Sequence, residues 1–172
     1  AAACFAGIAL TVFFATDLFR TMTQTPAWAS VLSFNGVVSS TSKGNISPVT
    51  QGFTVTGSAT FTTGEGSSCL VLLQDGSKLY LGKNTSAAIT KLAKGSAFTA
   101  RITLNQGTIG VKVRKLSKRS EFTVRAGLLK AEVRGTEFLV STLGETPYVS
   151  VKDGAVKVSR TDRRATVFAH AN

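Results

Sequence analysis

The chain has 172 residues, 43% of them apolar, and a formal charge of +11 from 20 Lys and Arg against 9 Asp and Glu. That length suits one domain with an appendage, and that apolar fraction excludes disordered and low-complexity classes, because there is a core to bury. One histidine, His170, and two cysteines, Cys4 and Cys69, leave little for metal chemistry, histidine-based catalysis or a disulfide framework.

Residues 1–15, AAACFAGIALTVFFA, carry no charge and one hydroxyl, Thr11. Asp17, Arg20 and the polar stretch 21–26 follow. A 16-residue helix covers about 24 Å of the roughly 30 Å of a bilayer core, and Leu18 and Phe19 extend it. The pattern predicts a transmembrane anchor over residues 1–20 and a linker over 21–30. Phe5, Ile8, Leu10, Val12 and Phe13 are the candidate helix contacts within a membrane assembly. Two rivals are a signal-peptide core, with Ala27-Trp28-Ala29 as an A-x-A site, and a buried soluble helix. No basic residue precedes the run, so the positive-inside rule has little to act on.

From Val31 onward, short β-branched runs alternate with Gly, Asn, Asp, Ser and Thr. Strands are expected at 31–38, 52–62, 68–74, 77–81, 86–91, 97–104, 108–114, 121–126, 130–134, 136–141, 147–152 and 155–160. Phe53 and Val55, Val149 and Val151, and Val156 and Val158 fall two apart, so one face is buried and the other solvated. Asp75-Gly76, Gln106-Gly107, Arg134-Gly135 and Asp153-Gly154 read as turns without chemistry. No helical stripe of more than ten residues occurs after residue 30. The fold expected is mainly β: a many-stranded sandwich or flattened barrel over 31–160, with a short β-solenoid as the alternative and a tail at 161–172.

Several segments, in order, resemble the FecR-type domain of bacterial envelope proteins. Val31-Leu32-Ser33-Phe34-Asn35-Gly36-Val37-Val38 is similar to its first strand, and Thr63-Gly64 with Leu70 to Ser77 (LVLLQDGS) to its core. Leu81 to Ser86 resembles the strand and turn that follow, and Leu104-Asn105-Gln106-Gly107 its L-x-x-G step. Phe122-Thr123-Val124, Val133 to Val140 (VRGTEFLV) and Val149 to Val158 (VSVKDGAVKV) resemble its later signature and closing hairpin. The resemblance covers about residues 31–160 and implies a periplasmic, non-catalytic β domain on a single-pass inner-membrane protein. In the best-known members that domain relays a signal from an outer-membrane iron transporter to a sigma factor. Those members carry a helical anti-sigma segment ahead of the membrane helix, whereas this sequence opens at Ala1 on the apolar run. The expectation is therefore an accessory or structural subunit of a bacterial membrane complex, with the signal relay and a cell-wall-associated binding protein as alternatives.

The residues themselves point away from catalysis. His170 stands in a terminal tail. Asp75, Glu121, Glu132, Glu137 and Asp153 give paired-carboxylate chemistry no evident cleft. The glycines lack the Lys-Ser/Thr of a phosphate loop. Charge is the positive signal: nine basic residues against two acidic ones lie between Arg101 and Arg134. Lys112, Arg114, Lys115, Lys118 and Arg119 are the candidate contacts for an acidic partner or anionic lipid headgroups, at about 1 kcal/mol per cation near such a surface. No aromatics interleave with them, so nucleic acid is not expected, and neither is a cofactor or a small-molecule substrate.

Overall fold

The computed structural model describes residues 26–92, 97–144, 146–162 and 166–171. The anchor segment 1–20, with Phe5, Ile8, Leu10, Val12 and Phe13, lies outside them, as does Cys4. Among the described residues no helix is long and apolar enough to cross a membrane.

The alternating runs do form strands. In chain order they are β1 (Ala29–Asn35), β2 (Val38–Ser42), β3 (Asn45–Pro48), β4 (Thr54–Val55), β5 (Ala59–Thr63), β6 (Ser68–Leu73), β7 (Lys78–Leu81) and β8 (Ser86–Lys91). Then follow β9 (Thr99–Gln106), β10 (Thr108–Lys112), β11 (Glu121–Ala126), β12 (Leu129–Val133), β13 (Glu137–Ser141), β14 (Tyr148–Asp153), β15 (Ala155–Arg160) and β16 (Thr166–His170). They make two sheets, one of seven strands in the order β14-β13-β10-β7-β6-β1-β4 and one of nine in the order β16-β15-β12-β11-β9-β8-β5-β2-β3.

The two sheets enclose one core, as in a sandwich. Every second residue of the main strands points inward. Val71, Leu79, Leu81, Ile109 and Val140 come from the seven-stranded sheet, and Phe61, Ile89, Ile102, Leu104 and Val124 from the nine-stranded one. Burying one such side chain stabilises the fold by roughly 1.5–3 kcal/mol. Apart from β4 and β3, which sit at the edges beyond β1 and β2, the strand order advances with the sequence along both sheets, because the chain passes back and forth between layers as it proceeds. The winding anticipated for a solenoid is thus present in the connections, while the layers are those of a sandwich. Pairing is antiparallel except between β9 and β11, which run parallel because the chain crosses to the other sheet through β10 between them.

Four expectations need correcting. The run 31–38 is broken at Gly36 (φ 72°), where a side chain would meet the Ser67 hydroxyl and the chain changes sheet. The run 52–62 is likewise two strands, β4 and β5, in different sheets. The span 21–30 enters the domain at Trp28, which is buried, donates its indole N–H to the Gly57 carbonyl at 2.7 Å and leads directly into β1. Within the tail 161–172, residues 166–170 form β16, paired with β15 along its length.

One end of the sandwich is held by buried hydroxyls. Thr63 Oγ1 donates to the Gly82 carbonyl at 2.6 Å and accepts from the Thr85 N–H at 2.9 Å. Thr85 Oγ1 accepts from the Thr108 N–H at 3.1 Å, and the Thr108 and Ser141 hydroxyls meet at 2.8 Å. Gly107 makes the sheet-to-sheet turn here with φ 94°, and a Cβ on it would lie 2.4 Å from Thr85 Oγ1. These bonds satisfy backbone groups that the sheet ladders leave unpaired where strands change layers.

Candidate protein-docking surface

Strand register assembles a surface on the outer face of the seven-stranded sheet. Leu70 of β6 stands opposite Tyr80 of β7, Tyr80 opposite Gly110 of β10, Gly110 opposite Leu139 of β13, and Leu139 opposite Ser150 of β14. The next row, two residues along each strand, brings together Leu72, Lys78, Lys112 and Glu137. Lys152 joins at the bulge between Glu137 and Phe138. Tyr148, opposite Ser141, continues the face on the other side.

The result is a shallow groove of about 460 Å³ with an apolar centre. Gly110 makes its floor. A Cβ there would only touch the Tyr80 side chain, at 3.7 Å, so the missing side chain leaves room rather than relieving a clash. Tyr80 lines the groove and Tyr148 stands beside it, each half exposed, at 50% and 51%.

The rim is charged. Glu137 receives Lys152 Nζ at 2.5 Å and Lys112 Nζ at 2.9 Å. Hydrogen bonds from Lys152 and then Lys112 hold the Glu137 carboxyl down at about 2, and the bond to Glu137 pushes Lys112 above its ordinary value. With Lys78, three cations share this rim with Glu137, and Asp153, in register with Glu137, also acts on Lys112. An apolar floor inside a net basic rim makes this groove the candidate docking surface of the domain.

The basic residues singled out from sequence are spread over several places. Lys112 belongs to this groove. Arg114 lies beside the Gly76 turn, and its backbone N–H donates to Ser77 Oγ at 3.1 Å. Lys115, Lys118 and Arg119 are exposed in the connection from β10 to β11. That connection is pinned by Leu116, packed on the core, and by the Ser117 and Ser120 hydroxyls at 2.9 Å. The groove residues Leu70, Tyr80, Gly110 and Leu139 were not visible as a group, because they come from four strands joined only by register.

The titratable residues are dispersed as well. Asp75 accepts from the Ser77 N–H and hydroxyl at 3.0 and 2.7 Å, which makes it a turn residue. Glu132 lies between Lys130, at 2.6 Å, and Lys157, at 3.5 Å. Burial pushes the Cys69 thiol up to about 11, so it stays protonated in the core near neutral pH. His170 sits on β16 opposite Ala155. Among the described residues no group of three or more His, Cys, Asp or Glu could hold a metal ion.

Comparison with known proteins agrees with this architecture. The sequence pattern of the family described as FecR protein matches residues 59–157, from β5 into β15. Two crystal structures of a "putative anti-sigma factor" from Parabacteroides distasonis, at 1.65 and 2.50 Å, share the fold with TM-scores of 0.54 and 0.55. Each is 20% identical, and the matches cover 66% and 67% of this chain. The chain spans about half the length of each, 51% and 52%. No curated protein sequence matches the chain.

Proposed function

Because the chain belongs to the FecR family, we propose that it is the extracytoplasmic part of a transmembrane relay that sets the activity of a sigma factor, rather than an accessory subunit of a membrane complex. The observation that carries this reading is the family match over 59–157, which falls on the β sandwich itself. The fold shared with the anti-sigma structures supports it.

In this reading the apolar segment 1–20 anchors the protein in the inner membrane and the sandwich stands in the periplasm. The domain catalyses nothing. It binds a signalling protein through the groove over Gly110. Leu70, Tyr80 and Leu139 supply the desolvated contact. Lys78, Lys112 and Lys152 select a partner with acidic groups flanking an apolar segment. A partner bound there alters the relay only to the extent that it binds one state of the membrane protein more tightly than the other.

The test is to delete residues 26–172 from the protein encoded at its own locus and read genome-wide transcripts. The expected result is a change confined to genes read by one alternative sigma factor. Unchanged transcripts, with the truncated protein present in the membrane, would contradict the relay.

A further inference from the structure

The outer face of the nine-stranded sheet carries a second feature, independent of the groove. Arg101 on β9 and Arg125 on β11 point to the same side of neighbouring parallel strands. Arg101 is in register with Thr123, and Thr103 with Arg125. Strand spacing and rise put their Cα atoms roughly 8 Å apart on the diagonal. The other in-register neighbours are Thr90 beside Arg101 and Lys130 beside Arg125, so neither arginine faces a carboxylate across its strand pairs. Of the nearby acids, Glu132 in the Arg101 row is held by Lys130 and Lys157, and Glu121 stands on the same face of β11, one diagonal from Arg101 on the side away from Arg125.

Both arginines line one cavity of about 530 Å³, with Thr103, Leu104, Asn105 and Gly127. That lining holds two guanidiniums, a hydroxyl and a carboxamide, and no carboxylate. The Nε of each arginine is shut off from solvent and has no hydrogen-bond partner. A covered, unpartnered donor is costly, and two like charges side by side add to that cost. An anion in the cavity offsets the second penalty by lying between the two guanidiniums, while the covered Nε atoms stay out of its reach.

We propose that this cavity binds a phosphoryl group. Guanidinium forks fit phosphate and carboxylate alike, so charge and donor number decide between them. Two cations balance a phosphate monoester dianion, whereas a carboxylate leaves one charge unmet. Two forks, the Thr103 hydroxyl and the Asn105 amide also offer more donors than a carboxylate's two oxygens can use well, and a tetrahedral phosphoryl group accepts from several directions. The ligand is a soluble phosphate compound or a phospholipid headgroup.

The experiment is a titration of the full chain, isotope-labelled and held in non-ionic micelles, with sodium phosphate and, separately, sodium acetate at constant ionic strength. Saturable amide shifts centred on Arg101, Thr103, Asn105 and Arg125, with phosphate at least tenfold tighter than acetate, are expected. The variant Arg101→Gln/Arg125→Gln should weaken phosphate binding at least tenfold, while Lys118→Gln/Arg119→Gln, which removes the same charge elsewhere, should not. If the double variant fails to fold, Arg125→Lys keeps the charge, loses the fork and should weaken binding severalfold. Phosphatidic acid vesicles that capture the protein through these arginines would assign the group to a lipid. Phosphate binding without capture would assign it to a soluble compound. No saturable response to either source, acetate binding as tightly as phosphate, or full binding by the arginine variants would overturn the proposal.

Discussion

The two outer faces of this sandwich are built by the same alternation and carry opposite chemistry. On the seven-stranded sheet the outward positions bring Leu70, Tyr80 and Leu139 around a bare Gly110. On the nine-stranded sheet they bring Thr41, Thr60, Ala88, Thr103, Arg125 and Lys130 into one row, almost all polar. Both faces cover one core, so the difference between them is not required for folding. It teaches that outward positions here are free to differ: one face gathers apolar side chains within a charged rim, and the other is mostly hydroxyls and cations.

Several changes would sharpen or break that comparison. The largest effect should come from Phe61→Ala, which empties a fully buried site whose ring stands edge-on to Phe53 at 6.0 Å. A loss of about 3–5 kcal/mol is expected in denaturant unfolding, with both faces affected together. Thr85→Val keeps the shape but leaves the Thr108 N–H without its acceptor. A loss of about 1–3 kcal/mol is expected by the same measurement.

Gly110→Ala separates the faces. The added methyl meets only Tyr80, in ordinary contact, so stability should hold or rise by about 0.4–1 kcal/mol, read as thermal midpoint. Partner binding should nevertheless fall as the groove floor fills. A loss of stability would mean that the groove is a packing feature.

The smallest effect should come from acid. The Glu137 carboxyl, held at about 2 against an ordinary 4.5, favours the fold through its two lysine bonds. That contribution is fully present above about 4.5 and is lost as pH falls through about 2. Glu137→Gln should therefore flatten the stability profile between those values and lower stability at neutral pH by that same amount, which is small because both lysines are largely exposed.

Much of the fold was legible because alternation of period two is a physical requirement of a half-buried strand. β6 to β15 lie where Leu70 to Arg160 alternate. What was missed lacked that signal. β3 (Asn45–Pro48) is exposed throughout, so no apolar face marks it, and its hairpin turns on Lys43 and Gly44, a pair without the usual Asn-Gly cue although both have positive φ. β16 is an edge strand whose Val167 and Phe168 stay exposed. The β1–β2 break was hidden because Val31 to Val38 reads as one apolar run through a glycine. The basic stretch was legible as charge, but its residues part company once register sends Lys112 to the groove rim and Lys118 to a loop. Leu70, Tyr80 and Leu139 read as surplus apolar residues until three strand pairings place them side by side.

The central claim is that the seven-stranded face is where a signalling partner docks. Its most direct test sets Leu139→Asp against Thr62→Asp, a matched charge on the other sheet, in the full-length membrane protein at equal, folded levels. Transcripts of the responding genes are read with and without the signal. The account predicts that Leu139→Asp abolishes the response and Thr62→Asp leaves it within twofold of the parent. An intact response in Leu139→Asp, or equal loss in both, would contradict it.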